Sequence, residues 1–497
     1  MGFLSDEELS RLSPAAQSLY PSPIPVQSVS SDEFMPPPQT AKQREFELRV
    51  KEIGSRLAKH QGLSRRAFFR TASGMAAAFL AMNETYGPVF GVSQAEAATP
   101  EMAAARAKAL SGQFIMDMHT HFLRTGTRIK SFINQRNAVG KAGWNAALGE
   151  KEQTIDDLMF QNYMKEIYFD SDTKVACISG APSEVPDDWF LTNEMKASAR
   201  GIINRLSGSR RAMSHAIFTP GYDGWMEQVD RAIEVLKPDS FKGYTIGDNT
   251  NKDLSKHPWN LDDEKLVYPA YEKFQKAGLK NVCIHKGLFP PSVEKQFPHL
   301  LPYCDVRDVP KAAKDWPGLN FIIYHGGYRL GPVGDAWANF EKTGRVDWVS
   351  DLADIPAKYG VKNVYADVGQ LFAQTTIAEP RLAAVMMGIL IKGLGADHVC
   401  WGTDAIWTGA PQWQIESLRR LEIPVELQKK YGFKPLGPAD GPVKNAIFGG
   451  NNARLYNYKP QQRAELANDQ FALHKEHYDK HGEGRTNMAY GYVQKNA

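Results

Sequence analysis

Five side chains that could bind a metal ion or move a proton lie at widely separated places in the sequence. His119 and His121 are two residues apart, so in an extended strand both project to the same side. His285, His325 and Asp404 each end a short apolar run further along the chain. Three neutral imidazoles, one carboxylate and a water are a suitable ligand set for zinc or a similar divalent ion. These residue types therefore predict a metal site, provided that the fold brings the strand ends together.

Eight apolar runs of strand length alternate with segments of helix length. Apolar residues at helical spacing mark segments such as 225–236, 264–277, 348–359 and 382–394. Strict alternation favours a parallel sheet, and eight units predict a closed (β/α)8 TIM barrel with an N-terminal extension. Active sites of such barrels form at the carboxyl ends of the strands, so all five side chains would meet at one mouth. The candidate strands are residues 114–119, 174–180, 215–220, 240–246, 281–285, 319–325, 362–368 and 398–404.

Taken singly, each signal also has an ordinary explanation. The pair His119 and His121 could be a chance surface or core pair, and a lone histidine at a strand end is often structural. Asp404 could cap the helix that follows it. Their coincidence at four separate strand ends favours a functional site over these explanations.

Together with flanking residues, these positions resemble the motifs of the amidohydrolase superfamily over roughly residues 113–458. Within it, they are similar to the amidohydrolase-related branch that includes aminocarboxymuconate-semialdehyde decarboxylase and resorcylate-type decarboxylases. The motifs identify the superfamily and leave the reaction open. They are Asp-x-His-x-His at 117–121, the strand-ending His285, His-Gly-Gly at 325–327, Gly-Thr-Asp at 402–404, and Ile-Phe-Gly-Gly-Asn-Asn-Ala-Arg-Leu at 447–455.

The resemblance implies roles for individual residues. It implies that one divalent metal ion, for which we expect zinc, is bound by His119, His121, His285 and Asp404. It also implies that His325 is the acid/base histidine, with Asp404 as a second group that moves protons. Binuclear members of the superfamily place a carbamylated lysine on the fourth strand, where this chain has Lys242. We favour one metal ion, which leaves Lys242 as a substrate-binding cation or a strand residue.

Two further side chains are candidates for substrate contact. Arg124 begins a long basic insertion, residues 124–144, whose cations could bind a carboxylate or could simply be solvated. Trp407 follows the eighth strand and would suit a flat organic substrate, although such residues often serve packing alone.

Three functions remain open from these residues. We expect a metal-dependent hydrolase of an amide, ester or lactone of a small organic substrate, because a bound divalent ion makes water acidic enough to react. The alternative on the same scaffold is a non-oxidative decarboxylase of an aromatic or unsaturated carboxylate. The third possibility is a catalytically silent exported binding protein, which would have no reason to keep its metal ligands filled.

Composition excludes several other classes. The chain has 497 residues, a formal net charge of +3 and 42% hydrophobic residues, which is ordinary globular composition. No concentrated basic stripe indicates a nucleic-acid partner, so we expect a small-molecule substrate and leave a homo-oligomer open. Four cysteines are too sparse for a disulfide scaffold, and the three that fall in candidate strands are expected to be free thiols: Cys177, Cys283 and Cys400.

The first 97 residues form a separate segment. Pro and Ser are frequent in residues 20–38, which favours an extended chain, and residues 41–60 resemble a charged helix. Residues 64–70, Ser-Arg-Arg-Ala-Phe-Phe-Arg, precede an apolar run at 71–82 and a small-residue site, Ala-Glu-Ala, at 95–97. This pattern resembles a twin-arginine signal, which predicts recognition by the twin-arginine export machinery, a periplasmic protein and a mature domain of residues 98–497. The long region before the arginines departs from the pattern, and an amphipathic helix on a cytoplasmic protein is the alternative.

Overall fold

Eight short strands form one parallel sheet whose spatial order follows the sequence. The computed structural model describes residues 22–26, 28, 39–125, 133–134, 137, 141 and 154–481. Most of the predicted extended segment 20–38 and of the basic insertion 124–144 lies outside these residues. The strands are β1 Met116–Thr120, β2 Val175–Ile178, β3 Ala212–Ile217, β4 Ser240–Tyr244, β5 Asn281–His285, β6 Asn320–Tyr324, β7 Val364–Asp367 and β8 Val399–Cys400.

Backbone hydrogen bonds between β1 and the chain after β8 close the sheet into a barrel. Met118 N donates to Trp401 O at 3.1 Å, and Asp404 N donates to His119 O at 2.8 Å. The predicted TIM barrel with an N-terminal extension is therefore confirmed.

All eight predicted strands are present, but most are shorter than expected. Residues 281–285 agree at both ends, whereas β8 contains only Val399–Cys400. His325 and Asp404 lie just past their strands at φ of 58° each, in the left-handed region that non-glycine residues rarely adopt. Both candidate catalytic residues therefore stand on turns that begin where the ladder ends.

Helices surround the barrel and cover its outer face. The four predicted helical segments are present. The first agrees at both ends and finishes as a π-helical turn, Ala232–Leu236, and the other three have shifted ends. The α-helices are α1 Ala41–His60, α2 Arg65–Phe68, α3 Ala72–Tyr86, α4 Gln94–Ala98, α5 Pro100–Leu110, α6 Phe160–Tyr168, α7 Asn193–Ser207, α8 Trp225–Arg231, α9 Tyr268–Lys276, α10 Pro291–Gln296, α11 Val309–Asp315, α12 Val333–Thr343, α13 Val349–Tyr359, α14 Gly369–Ala378, α15 Pro380–Leu394, α16 Gln412–Arg420, α17 Val425–Tyr431, α18 Pro442–Asn445, α19 Asn451–Leu455, α20 Pro460–Glu465 and α21 Gln470–His481.

The N-terminal helices share the hydrophobic core of the barrel. Phe46 of α1 and Phe79 of α3 are fully buried and belong to the same apolar cluster as Trp413 of α16. An added β-carbon on Gly74 would lie 2.3 Å from Phe68 O, which shows how closely α3 approaches the preceding turn. The predicted apolar run of the signal is therefore a packed helix here.

Buried ion pairs join these helices to the barrel, and we call this contact the N-terminal seam. Arg420 Nη2 lies 2.7 Å from Glu96 Oε1, and Arg106 Nη1 lies 2.8 Å from Glu416 Oε2. Arg419, its fifth member, pairs with the same Glu416 at 2.8 Å. The predicted cleavage point after residue 97 falls inside α4, next to Glu96.

The four cysteines are all within the described residues, and all are buried and free: Cys177, Cys283, Cys304 and Cys400. The prediction of free thiols is thus confirmed. Among the residues that the structure describes, no helix combines the length and apolar character needed to cross a bilayer.

Candidate active site

The barrel mouth brings together polar side chains from six of the eight strands and the turns after them, and burial removes nearly all of these side chains from solvent. Each is exposed by 6% or less. They are His119 and His121 at the end of β1, Lys242 on β4, His285 on β5, His325 after β6, Asp367 on β7 and Asp404 after β8.

Three of the predicted metal ligands converge on one point. His119 Nε2 and His121 Nε2 each lie 3.1 Å from Asp404 Oδ1. The Nδ1 atom of His119 lies 3.3 Å from Asp367 Oδ1, so a neutral ring that donates to this carboxylate keeps its lone pair on Nε2. That lone pair then faces an oxygen of Asp404, and a cation bound between the two atoms would offset their mutual repulsion.

Burial sets the protonation of these groups. It lowers the pKa of His119 and His121 well below the usual value, and the nearby Lys242 charge acts in the same direction. Burial raises the pKa of Asp404 to about 6, against the opposing effect of Lys242. Neutral imidazoles have the free electron pairs that a metal ion requires.

The fourth predicted ligand, His285, lies outside the group formed by His119, His121 and Asp404, whose ligand atoms are within 4.8 Å of one another. Its ring stacks on Tyr244, with centroids 4.9 Å apart, and meets the His325 ring edge-on at 4.9 Å. Its Nε2 is buried and has no hydrogen-bond partner among the described residues. The two histidines and the carboxylate that converge fit a divalent metal ion, and the unpaired nitrogen of His285, next to the His325 ring, would be a further donor.

A backbone contact orients His325. Gln370 N donates to His325 Nδ1 at 3.1 Å, so a neutral ring carries its proton on Nε2. A β-carbon on Gly369 would lie 2.7 Å from the same Nδ1, which leaves room only for glycine. The nitrogen that can donate to a substrate is therefore Nε2.

One acidic residue of the mouth, Asp367, was not predicted from the sequence. Its carboxylate contacts His119, and together with His119 and His325 it forms a second group of metal-compatible atoms within 4.8 Å of one another. A β-carbon on Gly402 would lie 1.9 Å from Asp367 Oδ2, which explains the glycine of the Gly-Thr-Asp motif. The available signal was an acidic residue at the carboxyl end of the seventh predicted strand.

The three predicted substrate contacts have different surroundings. Lys242 is fully buried with Nζ 3.1 Å from His119 Nε2, and Trp407 stacks on the His121 ring at 5.3 Å. Arg124 instead donates from Nε to Trp189 O at 3.1 Å, in the loop after β2. The structure thus brings two of the three into the mouth.

A closed barrel with a buried His/Asp cluster at its carboxyl-end mouth defines a metal-dependent barrel enzyme. The amidohydrolase family model matches residues 116–458, and the chain belongs to this family, in the amidohydrolase-related branch that the motifs indicated. No curated protein matches the chain.

Several solved structures are similar to this chain in fold. An uncharacterized TIM-barrel protein from Bordetella bronchiseptica is 16% identical, with a TM-score of 0.42 over 70% of this chain and 99% of that one. A 5-carboxyvanillate decarboxylase from Sphingomonas paucimobilis is 14% identical, with a TM-score of 0.40 over 70% and 100%. A dihydroxybenzoic acid decarboxylase from a Polaromonas species, solved with bound manganese, is 12% identical, with a TM-score of 0.39 over 70% and 99%.

Proposed function

We propose that the protein is a metal-dependent, non-oxidative decarboxylase of an aromatic or unsaturated carboxylate. The observation that carries this proposal is the buried ammonium of Lys242, 3.1 Å from His119 Nε2 in the floor of the mouth. A lysine and a divalent cation together give this centre an excess of positive charge, which suits an anionic substrate better than a neutral amide or ester.

The surrounding rings support a flat substrate. Trp407 lies nearly parallel to His121, and Phe190 meets the Trp407 ring edge-on at 5.6 Å. These rings and the burial of every polar group limit access of bulk water. A site with little water destabilises the substrate carboxylate, whose charge is localised, relative to the transition state, in which this charge spreads as carbon dioxide leaves.

One divalent ion, held by His119, His121, His285 and Asp404, would supply positive charge to substrate oxygens when bound. Nitrogen and oxygen donors of this kind accept zinc, which the sequence predicts, and also manganese. The metal therefore stays a separate prediction from the reaction.

The chain's own residues provide the proton transfer. His325 Nε2 donates a hydrogen bond to a substrate oxygen, and Lys242 pairs with the carboxylate. The bond from the substrate carbon to the carboxylate breaks, its electron pair stays on that carbon, and the carbon takes a proton from the Asp404 carboxyl. Asp404 then recovers a proton from solvent before the next turnover. Carbon dioxide leaves, and no oxidant is needed.

Hydrolysis of an amide, ester or lactone is the second candidate. The position of Asp404 Oδ1, 3.1 Å from both His119 Nε2 and His121 Nε2, favours it, because a carboxylate at the metal site can also accept a proton from water.

The test is an anaerobic assay in D2O with a panel of hydroxylated benzoates and unsaturated carboxylates, beside a panel of esters, amides and lactones. We expect release of carbon dioxide with one deuterium at the carbon that lost the carboxylate. Lys242→Met should abolish this release, whereas Lys256→Met, an exposed lysine with the same change of charge, should not. Turnover confined to the second panel would support hydrolysis and overturn the decarboxylase.

We also propose export by the twin-arginine route. The paired arginines, Arg65 and Arg66, are exposed at the start of α2, where a receptor could reach them. Replacing both by lysine should move the protein from the periplasmic to the cytoplasmic fraction of its host. An unchanged distribution would contradict export by this route.

A further inference from the structure

Lys196 carries an amino group that the fold buries, and burial, followed by the charge of Lys242, lowers the pKa of this group well below its usual value. Its side chain is fully buried, and Nζ makes no hydrogen bond to any residue that the structure describes. Burying an ammonium group without a partner costs folding free energy, so such a group gives up its proton, is paired, or lies where an anionic ligand restores its charge.

The first turn of α7 holds Lys196 at the end of β2. Asn193, at the start of this helix, exchanges two hydrogen bonds with the backbone of Ile217 at the end of β3, at 3.0 and 2.8 Å. Three residues further along, Lys196 has its Nζ 3.5 Å from where a β-carbon on Gly180, just past β2, would stand. The helix therefore points this ammonium over the carboxyl end of the strand.

Two short connections join this position to the metal centre. Tyr244 donates from its hydroxyl to Gly180 O at 2.8 Å, and the same ring stacks on His285. On the other side, Ser179 N donates to Thr120 O at 2.8 Å, between the two histidines of β1. The Ser179 hydroxyl is also buried and lacks a hydrogen-bond partner within the described residues. Lys196 is near enough that its charge helps to lower the pKa of His121, after burial and Lys242.

Lys196 and His325 lie on opposite sides of the barrel mouth, so they would contact opposite ends of a bound substrate. Gly180 follows β2 and His325 follows β6, which is four strands away in the eight-stranded sheet. In a closed barrel of eight strands, that separation is the full width of the mouth. A group held by Lys196 is therefore at the other end of the substrate from the group that His325 contacts.

We propose that Lys196, assisted by the Ser179 hydroxyl, binds a second carboxylate of the substrate, one that the reaction does not remove. This inference rests on the proposed decarboxylase and defines its substrate class as an aromatic or unsaturated dicarboxylate. Lys242 holds the carboxylate that leaves, and Lys196 holds the one that stays.

The test measures binding by calorimetry on the full chain loaded with one divalent metal ion, with benzoate and the three benzenedicarboxylate isomers as probes. At least one dicarboxylate should bind about tenfold more tightly than benzoate, as expected for one charge-assisted hydrogen bond. Lys196→Met should remove this advantage and leave benzoate affinity and metal content unchanged. Lys256→Met is the matched control for net charge and should keep the advantage.

A melting temperature separates this role from a structural one. Methionine replaces a buried amino group that has no partner with an apolar chain of similar length, so Lys196→Met should melt at a higher temperature than the natural chain in the absence of ligand. A lower melting temperature with unchanged dicarboxylate preference would assign Lys196 to folding and overturn the inference. Equal affinity for all four probes in the natural chain would also overturn it.

Failure of the proposed reaction is a separate result. If Lys196→Met abolishes the dicarboxylate preference while no carbon dioxide is released from any dicarboxylate, the subsite stands and the decarboxylase does not. If carbon dioxide is released from dicarboxylates equally well by the natural chain and by Lys196→Met, the decarboxylase stands and the subsite does not.

Discussion

The N-terminal seam and the metal centre are both buried and charged, yet they hold their charges in opposite ways. Glu416 in the seam contacts Arg106 at 2.8 Å, Arg419 at 2.8 Å and Arg420 at 3.2 Å. These guanidinium groups lower the pKa of Glu416 to about 2, even though burial alone would raise it. At the metal centre, the effect of burial exceeds the opposing effect of Lys242 and raises the pKa of Asp404 to about 6.

Buried polar atoms without a hydrogen-bond partner also distinguish the metal centre from the seam. His121 Nδ1, His285 Nε2 and Asp367 Oδ2 are buried at the centre without a hydrogen-bond partner among the described residues. A buried acid that is fully paired stabilises the fold, whereas buried groups that the chain leaves incomplete mark a place for a ligand. Variants that break one region at a time should separate these two roles.

Removal of a metal ligand should have the largest effect, and it should empty the centre without disturbing the seam. The natural chain, purified without added metal, should contain about one divalent ion per chain by mass spectrometry. His119→Ala or Asp404→Ala should reduce that content to near zero and abolish turnover, because each removes one of the three converging ligands. His299→Ala, an exposed histidine, is the control.

Full metal content in both ligand variants would contradict the assigned centre. A content near two ions in the natural chain would instead indicate that Lys242 bridges a binuclear site.

The sequence predicts the barrel well because its signals are local. Each strand is a short apolar run, and the residues that end the strands are chemically distinctive. His119, His121, His285, His325 and Asp404 could therefore be recognised from residue type and position alone. Their mutual distances depend on closure of the barrel, which no local pattern contains.

Residues whose role depends on a partner far along the chain could not be predicted. Asp367 contacts a histidine 248 positions away, and it stands at the end of an otherwise ordinary strand. Lys196 is one lysine in an amphipathic helix, and only the fold shows that it faces inward. Likewise, the pairing of Glu96 with Arg420 spans 324 positions, so the N-terminal segment resembles a detachable signal although its helices share the barrel core.

Loss of the N-terminal helices should break the seam. A chain that begins at residue 98 lacks Glu96, which leaves Arg420 with one acidic partner fewer, and it lacks the apolar contacts of α1 and α3. Breaking a buried pair costs about 3–5 kcal/mol, and loss of Phe79 adds about 2 kcal/mol. We therefore expect a much lower melting temperature, or insoluble protein, compared with a chain that begins at residue 39.

Equal melting temperatures for these two chains would show that the seam contributes nothing to stability. They would also remove the energetic objection to cleavage after residue 97, which intact-mass measurement of the exported protein can observe directly.

Neutralising the seam's central acid should have an intermediate effect that depends on pH. The pKa of Glu416 falls from 4.5 to about 2 on folding, which corresponds to about 3 kcal/mol of stability. This contribution is present above pH 4.5 and is lost as the pH falls toward 2. Glu416→Gln should therefore lower the free energy of unfolding by about that amount at pH 7, and the difference from the natural chain should shrink below pH 4.5.

The exposed Glu476, which pairs with Lys480 on α21, is the control for that experiment. Glu476→Gln should leave the free energy of unfolding unchanged at any pH, because solvent screens an exposed ion pair. If the difference in free energy of unfolding between the natural chain and Glu416→Gln does not vary with pH, side-chain packing, and not charge, causes the effect.

The smallest expected effect tests whether Asp367 supports metal binding or supports folding. Asp367→Asn keeps the shape next to His119 Nδ1 but removes the charge that makes this ring a better ligand, so metal affinity should fall about 10- to 100-fold in competition with a chelator. A matched pair lies at the surface, where Asp397 Oδ1 stands 3.0 Å from His398 Nδ1, and Asp397→Asn should leave metal affinity unchanged. Without metal, Asp367→Asn should be as stable as the natural chain or more so, because burial raises the pKa of this carboxyl well above its usual value. A less stable variant with unaltered metal affinity would move Asp367 to the class that Glu416 represents, a buried acid kept for folding.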